Sequence, residues 1–217
     1  MAILRNGMFG PVSGKIGNTV VYEVNNRTVV RIVGENHTPP TLKQLVNRND
    51  MRVVNAFLKQ VSPFIKVGFA EAAKAANMYP QNAAVSYNKK YALKGIYPDT
   101  EIDYQKVRLT EGRLPVLDGA VVQLAPGGLK FSWDPQNWMG WTRCNDQAML
   151  MVYMPEVDPE SGIINAFYQL SGAKRLMGND FLEIPAALMQ QRMEVYISVI
   201  ADDRKSVGCS VYLGRIN

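Results

Sequence analysis

The sequence predicts an α+β protein in which an N-terminal β-hairpin and a helical segment are followed by an antiparallel β-sandwich. Three observations carry this reading. Two β-branched runs near the N-terminus flank an Asn-Asn pair, apolar residues recur at helical spacing from Leu42 to about Leu93, and beyond Tyr97-Pro98-Asp99 the period shortens to that of strands punctuated by turn residues. The expected division is residues 1–100 for hairpin and helices and 101–217 for the sandwich. With 217 residues, 47% apolar and 20% charged, the chain can bury a core as one large domain or two modest ones.

The hairpin is read from Asn18-Thr19-Val20-Val21-Tyr22-Glu23-Val24 and Arg27-Thr28-Val29-Val30-Arg31-Ile32-Val33, with Asn25-Asn26 tolerant of positive φ between them. His37-Thr38-Pro39-Pro40 ends it, because proline supplies no ladder donor and restricts the residue before it. Thr41 and Gln44 then have the spacing of a capping box. Leu42, Val46, Val53, Phe57 and Val61 fall on one helical face, and Arg48, Arg52 and Lys59 fall within about 40° of each other on the opposite one. Ser62-Pro63 predicts a second helix capped by Ser62, carrying Phe64, Ile65, Phe69 and Ala72. A third runs from about Pro80 to Leu93 and ends at Lys94-Gly95, with glycine as its left-handed cap.

Strands are expected at 101–109, 120–124, 129–133, 148–154, 163–170, 181–184, 193–201 and 206–216, separated by turns such as Ala125-Pro126-Gly127-Gly128. Short strands at this spacing favour an antiparallel sandwich. No repeat of fixed period is visible, which argues against a solenoid or propeller.

Charge is unevenly placed. Residues 1–110 carry 15 Lys/Arg against 7 Asp/Glu, and residues 111–217 carry 9 against 12, so an anionic partner would meet the first half. The N-terminus, Met1-Ala2-Ile3-Leu4-Arg5-Asn6-Gly7, lacks the apolar length of a secretory signal, and no apolar run reaches the roughly 18 residues of a spanning helix. The expected setting is the cytoplasm, or a particle assembled there, without membrane insertion. Cys144 and Cys209 are then read as reduced thiols, too far apart for a zinc knuckle.

Leu129-Lys130-Phe131-Ser132-Trp133, the strand Met149–Tyr153, and Val195–Val199 followed by Ser206–Tyr212 resemble strands B, C, F and G of a fibronectin type III-like domain. A wider pattern covers nearly the whole chain: Ser13-Gly14-Lys15-Ile16-Gly17-Asn18, Arg31, Thr41 with Gln44 and Arg48, Phe57-Leu58, Pro63-Phe64, Gly68-Phe69, Asn82, Ser86-Tyr87-Asn88, Asp103-Tyr104 and Ser210-Val211-Tyr212-Leu213-Gly214. It resembles a family of small Bacteroidota proteins carrying a domain of unknown function. The resemblance implies a shared architecture and supplies no catalytic residues, cofactor or metal.

Most motifs are informative through what they exclude. Gly10-Pro11-Val12-Ser13-Gly14-Lys15-Ile16 is one residue short of a phosphate loop between its glycines, and Ile16 stands where a hydroxyl would meet magnesium. His37, the single histidine, sits in a Pro-rich linker, which argues against Ser-His, Cys-His and multi-histidine metal chemistry. Glu101 and Asp103 alternate on a strand as exposed carboxylates do, and Glu156, Asp158 and Glu160 lack the glycine and final glutamate of a calcium loop.

Two surface features stand out. Trp138, Met139, Trp141 and Arg143 follow the core position Trp133 in a loop at one end of the sandwich, where partner-binding residues gather. Arg48, Arg52 and Lys59 form a basic stripe able to face an anionic partner. The expected role is a non-enzymatic structural or adaptor protein in a homo- or hetero-oligomeric assembly, a phage-like particle or a surface appendage. A nucleic-acid-binding module using the basic helix face, with Tyr79, Tyr87 and Tyr91 as stacking residues, is the alternative. A carbohydrate-binding sandwich using Trp138, Trp141 and Glu101/Asp103 is a third.

Overall fold

The structure, a computed structural model, describes residues 3–4, 12–24, 27–35, 38–135, 141–158 and 164–217, with backbone alone for 3, 4, 141 and 142. By its contacts the chain divides into two compact units, Met1–Thr41 and Leu42–Asn217. The predicted α+β class is what it adopts: an N-terminal sheet, then helices, then antiparallel sheets.

The first unit is a four-stranded antiparallel meander of β1 (Ile3–Leu4), β2 (Val12–Ile16), β3 (Thr19–Val24) and β4 (Arg27–Ile32), in that spatial order. The predicted hairpin is β3/β4, closed by the Val24↔Arg27 pair, while Asn25-Asn26 lie outside the described residues. Val12–Ile16, part of the segment compared above with a phosphate loop, is itself a strand. Gly17, at φ +55°, makes the two-residue turn that sets Ile16 opposite Thr19.

The second unit begins with α1 (Leu42–Gln60), which starts directly after Thr41 as the capping pattern predicts. Phe57 and Val61 are buried and Val53 packs partly, whereas Leu42, expected on the packed face, is exposed ahead of that stretch. The predicted second helix is two: α2 (Ser62–Gly68), capped by Val61 with Ser62 already inside it, and α3 (Ala70–Ala75). The helix breaks at Phe69, next to Gly68, where a Cβ would meet Leu109 O at 2.5 Å. Asn77, at φ +51°, ends α3, and Met78 N donates to Ala73 O in a Schellman turn. The third predicted helix is α4 (Pro80–Tyr91), which stops at Ala92, and Gly95 serves the following turn rather than the helix end.

Strands β5 (Leu93–Lys94) and β6 (Glu101–Ile102) form a two-residue ladder. The expected strand over 101–109 therefore ends at Ile102, and Tyr104–Lys106 coil into a helical turn that sends the Tyr104 ring against Phe57 and Tyr153. The remaining predicted strands form close to their expected places. They are β7 (Val121–Ala125), β8 (Gly128–Ser132), β9 (Gln147–Tyr153), β10 (Ala166–Gln169), β11 (Asn179–Glu183), β12 (Met193–Ile200) and β13 (Val211–Ile216). Pro126-Gly127 closes the β7/β8 hairpin, with Gly127 at φ +84°.

Two antiparallel sheets result, one in the order β11-β8-β7 and one in the order β10-β9-β12-β13. Alternation along β9 sends Leu150 and Val152 into a core with Leu129, Phe131 and Leu182 of the first sheet. Met149, Met151 and Tyr153 point the other way, into a core with Phe57, Phe64 and Phe69 of the helices. The β9/β12 pair is thus covered on both faces, which explains its unbroken apolar runs Met149-Leu150-Met151-Val152-Tyr153 and Val195-Tyr196-Ile197. Each large apolar side chain so buried contributes roughly 1.5–3 kcal/mol.

Candidate functional site

Among the described residues two surfaces stand out, and each lies within one unit. The first is the N-terminal sheet. Its register puts Ile16, Thr19 and Ile32 in one row and Gly14, Val21 and Val30 in the next, all on the same face. Ile16, Val30 and Ile32 are 51%, 64% and 77% exposed, and Val21 is the buried apolar residue among those described in this unit. Lys15, Arg27 and Arg31 occupy the opposite face, where the Arg31 guanidinium lies 5.9 Å from the Tyr22 ring centroid. One face thus has Ile16, Val30 and Ile32 exposed, with Glu23 and Thr28 in its next row, and the opposite face mixes these cations with Val20, Tyr22, Val24 and Val29.

The second surface is a cleft of about 690 Å³ in the larger unit, bounded by α1, β6 and the ends of β12 and β13. Arg52, Lys94, Arg192 and Arg215 line it above an aromatic floor of Phe57 and Tyr104. One buried carboxylate organises this corner. Glu194 Oε1 accepts from Arg192 Nε (2.9 Å), Arg192 Nη2 (2.7 Å) and Arg215 Nε (3.3 Å), and Oε2 accepts from the Tyr212 hydroxyl (2.5 Å). Burial and that hydrogen bond push the Tyr212 phenol up to about 12. Burial also raises Tyr104, over whose ring the Arg192 guanidinium sits at 5.6 Å.

The predicted site residues meet different ends. Arg48, Arg52 and Lys59 are all exposed on α1; of the three, Arg52 lines the cleft, and its Nη2 donates at 2.7 Å to Oδ1 of Asn49, which lines a smaller neighbouring hollow with Arg48. Tyr87 and Tyr91, considered as base-stacking residues, pack on each other at 4.9 Å, and Arg108 covers Tyr87 at 4.1 Å. Trp138 and Met139 lie outside the described residues. Trp141 opens the four-residue helix α5 (Trp141–Cys144), of whose first two residues the backbone alone is described. Arg143 turns to Asp146 at 3.7 Å. Trp133 is core, as expected, with Nε1 donating to Arg175 O at 2.8 Å. Glu101 and Asp103 do not converge, since Lys94 lies 3.7 Å from the first and Lys106 2.9 Å from the second. Cys144 and Cys209 are free thiols. Among the described residues no group of three or more His, Cys, Asp or Glu side chains is placed to hold a metal, and no helix is long and apolar enough to cross a membrane.

A scan against family models matches residues 11–214 to a family of unknown function, DUF6266. The chain belongs to the DUF6266 family. No curated protein and no solved structure matches it.

Several residues of the extended pattern quoted above act as staples in this DUF6266 chain. Asn88, fully buried on α4, donates to Ala84 O and Arg108 O and accepts from Arg108 N. Ser210 Oγ accepts from Leu109 N at 2.9 Å, and Gly68 leaves room for Thr110 and Leu109. Gly214, at φ +118°, sits beside the bulge that sets Tyr196 opposite Tyr212. The buried Thr110 hydroxyl donates to Gly208 O and meets Ser198 Oγ at 2.7 Å. All of them fasten the 107–111 segment or β13 to the rest of the unit.

Sequence reasoning missed Glu194 and Arg175. Arg175 is fully buried and donates to Pro115 O and Val116 O, with Asp146 4.0 Å away. No periodicity marks either residue. The faint signal for Glu194 was a lone acid opening an otherwise apolar strand, where burial demands a partner.

Proposed function

We propose that this DUF6266 chain is a structural or adaptor component that works by protein–protein contact within an oligomeric assembly, with the N-terminal sheet as the joining surface. The observation that carries this is the exposed apolar face formed by Ile16, Val30 and Ile32, in a unit where Val21 is the buried apolar residue among those described. A small sheet gains stability in water chiefly by covering such a face. The occupant proposed is a second copy, because the rows Ile16/Thr19/Ile32 and Gly14/Val21/Val30 carry no charge, Glu23 entering only in the third row, and such a face can pack on itself across a two-fold axis. Strand β4 adds an edge for pairing.

On this reading the larger unit is the rigid body that the sheet carries. Its strand orders, β11-β8-β7 and β10-β9-β12-β13, support a fibronectin type III-like arrangement in which β7, β8 and β11 take the places of A, B and E and β10, β9, β12 and β13 those of C′, C, F and G. A phage-like particle or surface appendage of a Bacteroidota source, assembled in the cytoplasm, is the setting that goes with this proposal.

Light scattering on the purified full chain tests it. The expected result is an oligomer that persists in moderate salt and is lost in Val30→Lys/Ile32→Lys. A wild-type monomer at high concentration, or a variant that assembles unchanged, overturns it.

A further inference from the structure

The cleft is independent of the joining surface, and its charge arithmetic is specific. Arg192 and Arg215 share one carboxylate, Glu194, so this corner holds two guanidinium charges against one acid. The side chain of Glu194 is inaccessible, whereas that of Arg215 is 55% exposed and lines the cleft. Arg52 adds a third guanidinium, hydrogen-bonded to the neutral Asn49. Lys94 is offset by Glu101, and Glu156 is the remaining acid of the wall. Four cations against three carboxylates leave a single positive charge in excess.

A planar guanidinium suits a planar carboxylate, Arg52 and Arg215 both line the cleft, and Phe57 and Tyr104 in the same lining suit an apolar or aromatic body. The volume lies within the roughly 300–1,000 Å³ of small-ligand sites. Polyanions fit poorly, because Glu101 and Glu156 stand in the walls. Glu194 acts as a positioning residue, fixing the Arg192 and Arg215 side chains before a ligand arrives, which lowers the ordering cost of binding.

We propose that this cleft binds one carboxylate borne on an apolar or aromatic body, held by Arg52 and Arg215 over Phe57 and Tyr104. The same chemistry occurs in a free small acid and at the C-terminus of a peptide, and the test separates the two.

The full ¹⁵N-labelled chain is titrated with N-acetylphenylalanine, its uncharged amide, a hexapeptide ending in phenylalanine with a free carboxylate, and inorganic phosphate, with shifts mapped by NMR and affinities measured by calorimetry. The expected result is shifts confined to the cleft for the two carboxylates, at least about tenfold weaker binding of the amide, and a similar loss in Arg52→Ala and in Arg215→Gln. Tighter binding of the peptide assigns the site to a polypeptide terminus, and equal or tighter binding of the small acid assigns it to a metabolite-sized ligand. Arg52→Ala leaves the buried Glu194 network whole, so it reports on binding even where Arg215→Gln lowers stability. No cleft shifts with either carboxylate overturns the proposal, as does equal binding of the amide or of phosphate. Because monomer and oligomer both contain the cleft, this outcome does not depend on the assembly result.

Discussion

Asn88 and Arg108 are joined twice, the side-chain amide of the first donating to the backbone carbonyl of the second at 2.8 Å and accepting from its backbone N–H at 2.9 Å. A side chain on α4 thereby supplies the pairing a neighbouring strand would give and holds the irregular 107–111 segment in place. Asn88→Ala leaves the part-buried N–H and C=O of Arg108 without those partners. The expected cost is about 2–4 kcal/mol, read as a lower urea midpoint at unchanged slope.

Tyr212 gives the chain an alkaline limit. Its pKa is raised from 10.0 to about 12 in the folded state, so the stability it contributes is full below pH 10 and is lost as pH rises toward 12, where the unfolded chain ionises first. Tyr104 and Tyr196 are shifted the same way by burial. The expected outcome is a fall in denaturation midpoint across that window, shallower in Tyr212→Phe. That variant also loses about 1.5–3 kcal/mol at neutral pH with the hydrogen bond to Glu194.

Gly68→Ala tests the tight approach behind α2. The new methyl carbon would stand 2.4 Å from Thr110 Cγ2 and 2.5 Å from Leu109 O, and the second of these is backbone. Overpacking of this kind costs typically about 1–3 kcal/mol, and a thermal scan should show a melting point several degrees lower. An unchanged melting point would mean that the 107–111 segment yields more readily than its hydrogen bonds indicate.

Reversing the basic stripe with Arg48→Glu and Arg52→Glu should leave retention on immobilised DNA and RNA unchanged, since Arg52 lines a cleft with acids in its wall and two of the three candidate stacking tyrosines, Tyr87 and Tyr91, pack on each other, with Tyr79 exposed outside that pair. Retention that is steeply salt-dependent in the wild type and lost in the double variant would favour the nucleic-acid reading instead.

The strands of the second half were legible because their side chains meet period-2 constraints that leave a mark in the residues themselves: β7, β8, β9, β11 and β12 form within two residues of where alternation and turns place them. β2 was hidden because Gly14 and Gly17, which permit its turn, look like loop residues in a sequence. The stretch after Ile102 looked like strand because Val107 and Leu109 are apolar, yet both are buried outside any ladder. The cleft could not be seen at all. Glu194 meets Arg215 only through the β12/β13 register, and that register depends on a bulge that no local pattern announces.

The doubly covered β9/β12 pair makes the helices part of the wall rather than an attachment to it. A fragment starting at residue 101 would bare Met149, Met151 and Tyr196 to water along one whole side of its central sheet. Such a truncation should come out of cells as insoluble material, and any attempt to trim this protein to its β portion has to keep everything from Leu42 onward.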